Sequence, residues 1–237
     1  MFYDSNKLKL NKTKTKFNIN GTKSQLNQTK NLSLVVNNEV LYNDSQITIL
    51  GFKFNISNTL DSQINDLIQQ INFRISCLNK VKQFTTFKTR KNFFNAFCVS
   101  KLRYMAPAYL SAPVYLTKKL NTTLVNIAKS TFGYKYHKMS HEKLIKECGW
   151  TNIDALIKIE ALNFLHRIFY FKRPTVLFNL FKIPERKCKD ISIREFKKSK
   201  LMDNIFVYKI LPEYNKLPTK SKQLKPKSFS RYLKRTI

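Results

Sequence analysis

The stretch Ile47–Phe84, ITILGFKFNISNTLDSQINDLIQQINFRISCLNKVKQF, contains the two patterns that decide the fold. Residues 47–54 predict a short strand around a Leu50-Gly51 step, in which the glycine leaves room for another backbone to approach. From residue 60 onward, apolar residues recur at spacings of three and four, which predicts one amphipathic helix of about 25 residues. Its apolar positions are Leu60, Ile64, Leu67, Ile68, Ile71, Ile75, Leu78 and Val81. On pattern alone, a strand followed by such a helix indicates a packing unit and no particular function.

The sequence before this stretch predicts more strand. Residues 32–36 and 40–42 are mostly apolar and flank the polar Asn37-Asn38-Glu39, which is typical of a hairpin. We expect this hairpin and the strand over 47–54 to form one small antiparallel sheet.

The sequence after it predicts helices at 88–105, 117–132, 140–148 and 153–172, because apolar residues recur there at helical spacing. In the first of these, the predicted inner side chains are Phe94, Phe97, Leu102 and Met105, and the predicted outer ones are Lys88, Arg90, Lys91, Lys101 and Arg103. His166, on the last helix, is expected to be a hydrogen-bonded packing residue and not a catalyst.

The predicted fold class is α+β, predominantly α, with a small N-terminal antiparallel β element followed by a helical bundle. Residues 1–56 are expected to form the β element and residues 57–182 the helical domain. Residues 183–237 are expected to form a basic C-terminal segment with partial order, because the apolar periodicity weakens after residue 183.

The charge balance narrows the classes of molecule that the protein is expected to bind. The chain has 44 Lys and Arg against 14 Asp and Glu, a net charge of +30. Such an excess favours binding to phosphate backbones or to anionic lipid, and it carries no information about the fold.

The cysteine and histidine pattern does not predict a metal site. Cys77, Cys98, Cys148 and Cys188 show no paired spacing. His137, His141 and Cys148 lie near one another in sequence but lack a fourth ligand for zinc. There is no secretory leader and no run of about 18 apolar residues, so we expect an intracellular protein, nuclear or cytoplasmic, without a membrane span.

Four short motifs occur in a fixed order along the chain. They are Leu10–Lys16 (LNKTKTK), the Leu50-Gly51 step before a long helix, Lys101–Tyr109 (KLRYMAPAY) and Tyr214–Pro218 (YNKLP), the last followed by Ser228-Phe229. In type and order they resemble the palm end, thumb and C-terminal segment of non-LTR (LINE-like) retrotransposon reverse transcriptases. The chain has Ile49 where the family has tyrosine before the Leu-Gly pair, and Tyr109 where the family has tryptophan.

This resemblance implies that the β element is the remnant of a polymerase palm and that the helices form a thumb-like bundle. Lys14 falls on the palm lysine that assists the departing pyrophosphate. The family's Mg²⁺-binding aspartates lie upstream of the matching segment, and this sequence contains no Asp-Asp pair. We therefore expect a C-terminal fragment of an RNA-directed DNA polymerase that holds no cofactor and is inactive alone; Mg²⁺ belongs to the intact family enzyme.

The resemblance also implies a nucleic-acid-binding role, since the helix after the Leu-Gly step lies along the primer–template duplex in the family. The candidate binding residues are Lys14, Lys16, Leu50, Gly51, Arg74, Lys80, Lys82, Arg90, Lys101 and Arg103. The expected partner is RNA, DNA or an RNA–DNA hybrid, bound without sequence preference because phosphate contacts do not read bases. Two alternatives remain open: a basic helical protein that binds anionic membrane or a partner helix, and an inactive relic.

Overall fold

The computed structural model describes residues 11, 14–19, 21, 23–28, 32–36, 39–55, 59–133, 139–184, 190–193 and 206–237. The chain divides into two compact units, Met1–Asn65 and Asp66–Ile237. The three-part division made from the sequence stays a prediction, and much of residues 183–205 lies outside the described residues.

The first unit is built from two hairpins and a short helix. Its elements are α1 (Lys23–Gln28), β1 (Ser33–Val36), β2 (Glu39–Tyr42), β3 (Gln46–Ile49) and β4 (Phe52–Asn55). β1 pairs with β2 and β3 with β4, both antiparallel. The hairpin predicted from residues 32–42 is therefore confirmed.

The prediction of one continuous strand over 47–54 was wrong. Leu50 and Gly51 form a two-residue turn between β3 and β4, with φ of 51° and 81°. Positive φ at both central positions is what a tight type I′ hairpin turn requires, and glycine adopts it without steric cost. A Cβ at Gly51 would meet no atom of the described residues within 4 Å, so no described backbone segment approaches there. The described strands of this unit also form two separate two-stranded sheets and not the single sheet expected.

The second unit is helical. Helix α2 (Asp61–Lys80) begins in the first unit and continues into the second. The further helices are α3 (Phe87–Phe94), α4 (Ser100–Tyr104), α5 (Val114–Phe132), α6 (His141–Glu147), α7 (Ile153–Phe171), α8 (Thr175–Phe178), α9 (Phe206–Asn215), α10 (Thr219–Lys222) and α11 (Pro226–Thr236). The helices predicted at 117–132, 140–148 and 153–172 are present at nearly the predicted bounds. The first predicted helix is shorter than expected: α2 has 20 residues and not about 25, and Val81, predicted on its apolar stripe, is 46% exposed. Ser140 caps α6, and Gly133 ends α5 as a helix-terminating glycine.

A π-helical turn, Asn95–Val99, joins α3 to α4. Its wider turn moves the inner positions one residue later in the sequence, so Cys98 and Val99 are buried instead of Phe97. Phe94 and Leu102 are buried as predicted, whereas Phe97 is 51% exposed and its predicted burial was wrong. The sequence did not predict this turn. The buried positions were predicted from a regular helical period of about 3.6 residues over 88–105, and the π turn interrupts that period.

Polar side chains connect the helices around the core of the second unit. Ser130 on α5 donates to the Asn79 side chain on α2 at 2.7 Å. The Asn121 side chain accepts from the backbone N–H of Ile153 at 2.9 Å, which joins α5 to the start of α7. These bonds fix the lateral positions of helices whose apolar faces are buried against one another.

The C-terminal helices pack on α7 through a second apolar cluster. His166 is 1% exposed; its ring stacks on Phe229 at 3.8 Å and is bonded to the Tyr214 hydroxyl and the Leu224 carbonyl. This confirms His166 as a packing residue. Asn215 exchanges two hydrogen bonds with the backbone of Ile191. The Tyr214–Pro218 motif therefore supports the fold of this end of the unit.

Strand structure outside the hairpins is small in the described part of the chain. β5 (Phe181–Lys182) and β6 (Ser192–Ile193) form a two-residue antiparallel pair, which lies outside residues 1–56, where the β element was predicted. The protein is predominantly α with small antiparallel strand pairs, so the predicted fold class is confirmed. Across the described residues, no helix has both the length and the apolar character that crossing a membrane requires.

Candidate nucleic-acid interface

The sequence from Asp66 to Glu142 contains no Asp or Glu between these two residues. This acid-free segment covers most of α2 and all of α3, the π turn, α4 and α5. Its basic residues are Arg74, Lys80, Lys82, Lys88, Arg90, Lys91, Lys101, Arg103, Lys118, Lys119, Lys129, Lys135 and Lys138. With no carboxylate between them in the sequence, the charges of the described members of this set add to a positive potential on this part of the second unit.

Two of the predicted binding residues are bonded to one residue, Gln70, one through its side chain and one through its backbone carbonyl. The Lys101 ammonium donates to Gln70 Oε1 at 2.7 Å, and Arg74 Nη1 donates to the Gln70 carbonyl at 3.0 Å. Lysine has three N–H donors and arginine five, so further donors of both groups remain for a ligand. Helix packing thus brings cations that are 27 positions apart in sequence onto one polar surface, which we call the Gln70 cluster (Gln70, Arg74 and Lys101).

Exposed aromatic side chains border the Gln70 cluster. Phe97 lies one turn before Lys101 and packs on Phe93 with ring centroids 5.0 Å apart. Phe73, next to Arg74 in sequence, is 71% exposed. The surface therefore offers apolar ring area beside its charged groups, as many nucleic-acid-binding surfaces do.

A cleft of about 730 Å³ opens beside the π turn. Lys91 and Arg103 contribute cations to its lining, Glu160 contributes one carboxylate, and Trp150 closes one side. The Trp150 indole donates to Asn95 Oδ1 at 2.7 Å, which ties the π turn to the loop before α7. Among the cations of α3 and α4 that were predicted to bind nucleic acid, Arg103 lines this cleft. Lys91 also lines it, although Lys91 was not among the predicted binding residues.

The buried thiols do not supply a nucleophile. Burial raises the pKa of Cys98 to about 11, against the opposing charges of Arg74 and Lys101. Burial also raises the pKa of Cys148, in the cleft wall, to about 11, although Lys91 acts in the other direction. Both thiols are therefore protonated near neutral pH, and the positive charges nearby are left to attract an external anion.

Arg90 lies on the inner face of α3, so its predicted outer position was wrong. It is 9% exposed, and its Nε donates to the Thr131 carbonyl at 2.7 Å. Its Nη1 donates to the carbonyls of Lys82 and Thr85. The forked guanidinium donates to a carbonyl in the last turn of α5 and to two carbonyls around the 82–84 turn. We therefore leave Arg90 out of the candidate interface.

The two other candidates near Arg90 differ in exposure. Lys80 is exposed at the last position of α2. Lys82 is half-buried, and its Cε lies 2.9 Å from the position that a Cβ on Gly133 would occupy. The stem of Lys82 therefore packs on the glycine that ends α5.

The remaining candidates belong to the first unit. Lys14 is exposed in a short turn, where its N–H donates to the Asn11 carbonyl at 3.1 Å. Lys16 Nζ lies 3.6 Å from Asp44 Oδ2. Leu50, 82% exposed, and Gly51 form the tip of the second hairpin.

A second basic face was missed by sequence reasoning. After Glu213 the chain contains no acid, and α11 buries Phe229 and Leu233 on one side. Its exposed residues include Lys227, Arg231, Lys234 and Arg235, and two of these, Arg231 and Arg235, line a small cavity of about 280 Å³ with Ser228. The signal was available: basic residues at helical spacing opposite two buried apolar residues, in a segment without acids.

Comparison with protein-family models, with curated proteins and with solved structures found no match. In the part of the chain that the structure describes, no three His, Cys, Asp or Glu side chains are grouped so that they could hold a metal ion.

Proposed function

We propose that the second unit binds the sugar–phosphate backbone of nucleic acid, as the thumb-like C-terminal part of a retrotransposon reverse transcriptase. The observation that carries the proposal is the Gln70 cluster, in which Arg74 and Lys101 share one polar anchor inside a segment without carboxylates. The ordered motifs of the sequence support the same assignment.

The chemistry of the cluster suits a phosphate ligand. A guanidinium and an ammonium side by side offer several N–H donors to the oxygens of one or two adjacent phosphates, and such charge-assisted bonds are strong. Gln70 holds both cations near each other before a ligand arrives, which lowers the entropy lost on binding. Because phosphates are identical along a strand, the expected ligands are RNA, DNA or an RNA–DNA hybrid of any sequence.

The proposed role is positioning and not the chemical step. In the family that the motifs resemble, the metal-binding carboxylates lie in a segment upstream of the matching one. Mg²⁺ would act there on the primer terminus, while the residues of this chain hold the nucleic acid.

The test is a charge-removal experiment with a matched control. Arg74→Gln combined with Lys101→Gln removes two cations from the acid-free segment. Lys143→Gln combined with Lys146→Gln removes two exposed cations from α6, which also carries Glu142 and Glu147. Affinity for an RNA–DNA hybrid of about 20 base pairs is measured by fluorescence anisotropy.

We expect the Arg74 and Lys101 double variant to bind the hybrid about tenfold or more weakly than the wild type, since each charged contact is worth about 1 kcal/mol or more. The control should stay within about twofold. Equal losses in both variants would show that only net charge matters, and this would overturn the Gln70 cluster as the binding site. Binding to anionic vesicles in place of the hybrid would favour the membrane alternative.

A further inference from the structure

A second cleft lies at the C-terminal end of α7, apart from the acid-free segment. Its lining residues are Phe164, Arg167, Ile168, Phe171, Arg173 and Pro174, and its volume is about 550 Å³. This volume is within the roughly 300–1,000 Å³ range of small-molecule sites. The function proposed above does not use it.

The cleft follows from the helical spacing of its residues. Phe164, Arg167, Ile168 and Phe171 recur at i, i+3, i+4 and i+7, so they form one stripe on α7 in which aromatic rings and a guanidinium alternate. Lys172 then ends the helix with a left-handed φ of 52°. The next residues, Arg173 and Pro174, turn back and complete the wall of the cleft.

The two rings are held in place and are still accessible. Phe164 packs edge-on against Phe206 with centroids 5.5 Å apart, and Phe171 packs edge-on against Tyr170 at 5.0 Å. Phe164 is 40% exposed and Phe171 57% exposed. A T-shaped neighbour covers at most one face of a ring, so each of these rings keeps at least one face that this neighbour does not cover.

The charges of the cleft select an anion. Arg167 and Arg173 are both exposed, and neither side chain has a hydrogen bond or ion pair to any residue that the structure describes. Among the residues that the structure describes, none that lines the cleft is Asp or Glu. Two free guanidinium groups beside open aromatic faces fit a ligand that is planar at one end and carries phosphate at the other.

We propose that this cleft binds one unpaired nucleotide of a single strand, with its base stacked on Phe171 and its phosphate held by Arg167 and Arg173. The inference rests on the proposed function in that the ligand is nucleic acid, and it adds a preference for single-stranded segments. Bases inside a duplex are stacked on their neighbours and cannot offer a face to Phe171, whereas unpaired bases can.

The test compares one single-stranded RNA with the duplex hybrid. Phe171→Leu keeps an apolar side chain but removes the ring, and Phe171→Trp restores a ring. Phe171 is exposed at the helix end, so both variants are expected to fold, and thermal unfolding checks this. The single strand carries 2-aminopurine, whose fluorescence falls when it stacks.

We expect Phe171→Leu to weaken binding of the single strand by about 5- to 100-fold, the effect of losing one base–aromatic stack of roughly 1–3 kcal/mol. Its affinity for the hybrid should be unchanged. Phe171→Trp should restore single-strand affinity. Replacing Arg167 and Arg173 by Gln should reduce the salt dependence of single-strand binding by about 0.7 per lost phosphate contact.

The outcomes separate the two proposals. If Phe171→Leu leaves single-strand binding unchanged while the Arg74 and Lys101 double variant loses hybrid binding, the cleft proposal is wrong and the proposed function stands. Equal losses for single strand and hybrid would also overturn the single-strand site. If the wild type binds neither nucleic acid, both proposals fail. Phe171-dependent binding to anionic vesicles, with unchanged single-strand binding, would assign the cleft to a lipid surface and overturn the proposal.

Discussion

Arg90 directs its guanidinium at the backbone carbonyls of Lys82, Thr85 and Thr131. Two of these carbonyls lie in the 82–85 segment and one in the last turn of α5, and the single side chain joins the start of α3 to the end of α5. A lysine in this position has one nitrogen and cannot reach separate carbonyls in the same forked geometry. The charge of Arg90 is thus used inside the protein and not at a ligand.

The contribution of Arg90 is testable by removal of its donors. Arg90→Met removes the side-chain donors of the Thr85 and Thr131 carbonyls, and we expect it to lower the free energy of unfolding by about 2–4 kcal/mol. Lys88→Met, at an exposed position of the same helix, should change it by less than about 0.5 kcal/mol. Urea denaturation measures both. Equal effects of the two substitutions would show that the Arg90 bonds do not stabilise the fold.

His166 is held in its neutral form by its surroundings. Its Nε2 lies 2.9 Å from the Leu224 carbonyl, which only accepts, so the proton is on Nε2 and Nδ1 accepts from the Tyr214 hydroxyl at 3.0 Å. Burial lowers the pKa of His166 below its ordinary value, with the Leu224 bond acting in the other direction. The folded protein therefore binds this proton less readily than the unfolded chain.

The sign of the resulting pH dependence follows from linkage. As the pH falls below about 6.5, the unfolded chain takes up a proton on His166 that the folded protein resists, so stability is lost on acidification at up to about 1.4 kcal/mol per pH unit. His166→Gln removes this titration. We expect the wild type to lose more stability than His166→Gln between about pH 7 and 5, measured by urea denaturation. Parallel pH profiles for the two proteins would contradict the assignment.

At the scale of the elements, the sequence predicted the buried helix faces correctly where the spacing of apolar residues is regular. The stripe at Leu67, Ile71 and Leu78 predicted the buried face of α2, and all three are buried. The prediction failed where the local backbone geometry departs from the roughly 3.6-residue period of an α-helix. The π turn at 95–99 exposes Phe97, and Arg90 faces inward because backbone carbonyls that accept its N–H groups lie there, which no spacing rule encodes. The Gln70 cluster was predicted only in part: Arg74 and Lys101 were candidates, but their meeting depends on helix packing.

Leu50 and Gly51 form the hairpin tip, where Leu50 has an unfavourable backbone conformation. Both residues are also predicted to contact nucleic acid. Leu50 has φ of 51°, which is unfavourable for a branched side chain, and it is 82% exposed. Asparagine is preferred in this turn, so we expect Leu50→Asn to stabilise the hairpin by about 0.5–1 kcal/mol, seen as slower amide exchange across β3 and β4.

The same variant separates structure from binding. If Leu50 contacts nucleic acid, as the resemblance implies, Leu50→Asn should weaken hybrid binding although the hairpin is more stable. Gly51→Ala, which places a Cβ at φ of 81°, should destabilise the hairpin by about 1 kcal/mol. Faster exchange in Leu50→Asn than in the wild type would contradict the turn geometry.

At the scale of the molecule, acids and bases are segregated along the chain. The acid-free segment after Asp66 and the acid-free C-terminal region after Glu213 belong to the same unit and carry much of its Lys and Arg. Composition alone predicted a polyanion partner. Composition did not predict where the charges lie. The cations that face outward are set by the rotation of each helix and by backbone carbonyls that draw a side chain such as Arg90 inward.

The most direct measurement of the central claim is the salt dependence of binding to an RNA–DNA hybrid. If roughly 6–10 phosphate contacts form, affinity should fall by about a thousandfold or more between about 50 and 200 mM salt. The Arg74→Gln and Lys101→Gln double variant should flatten the log–log slope by about 0.9 for each lost contact. A slope near zero for the wild type, or an unchanged slope in the double variant, would contradict the claim that the Gln70 cluster of this basic unit binds phosphate backbones.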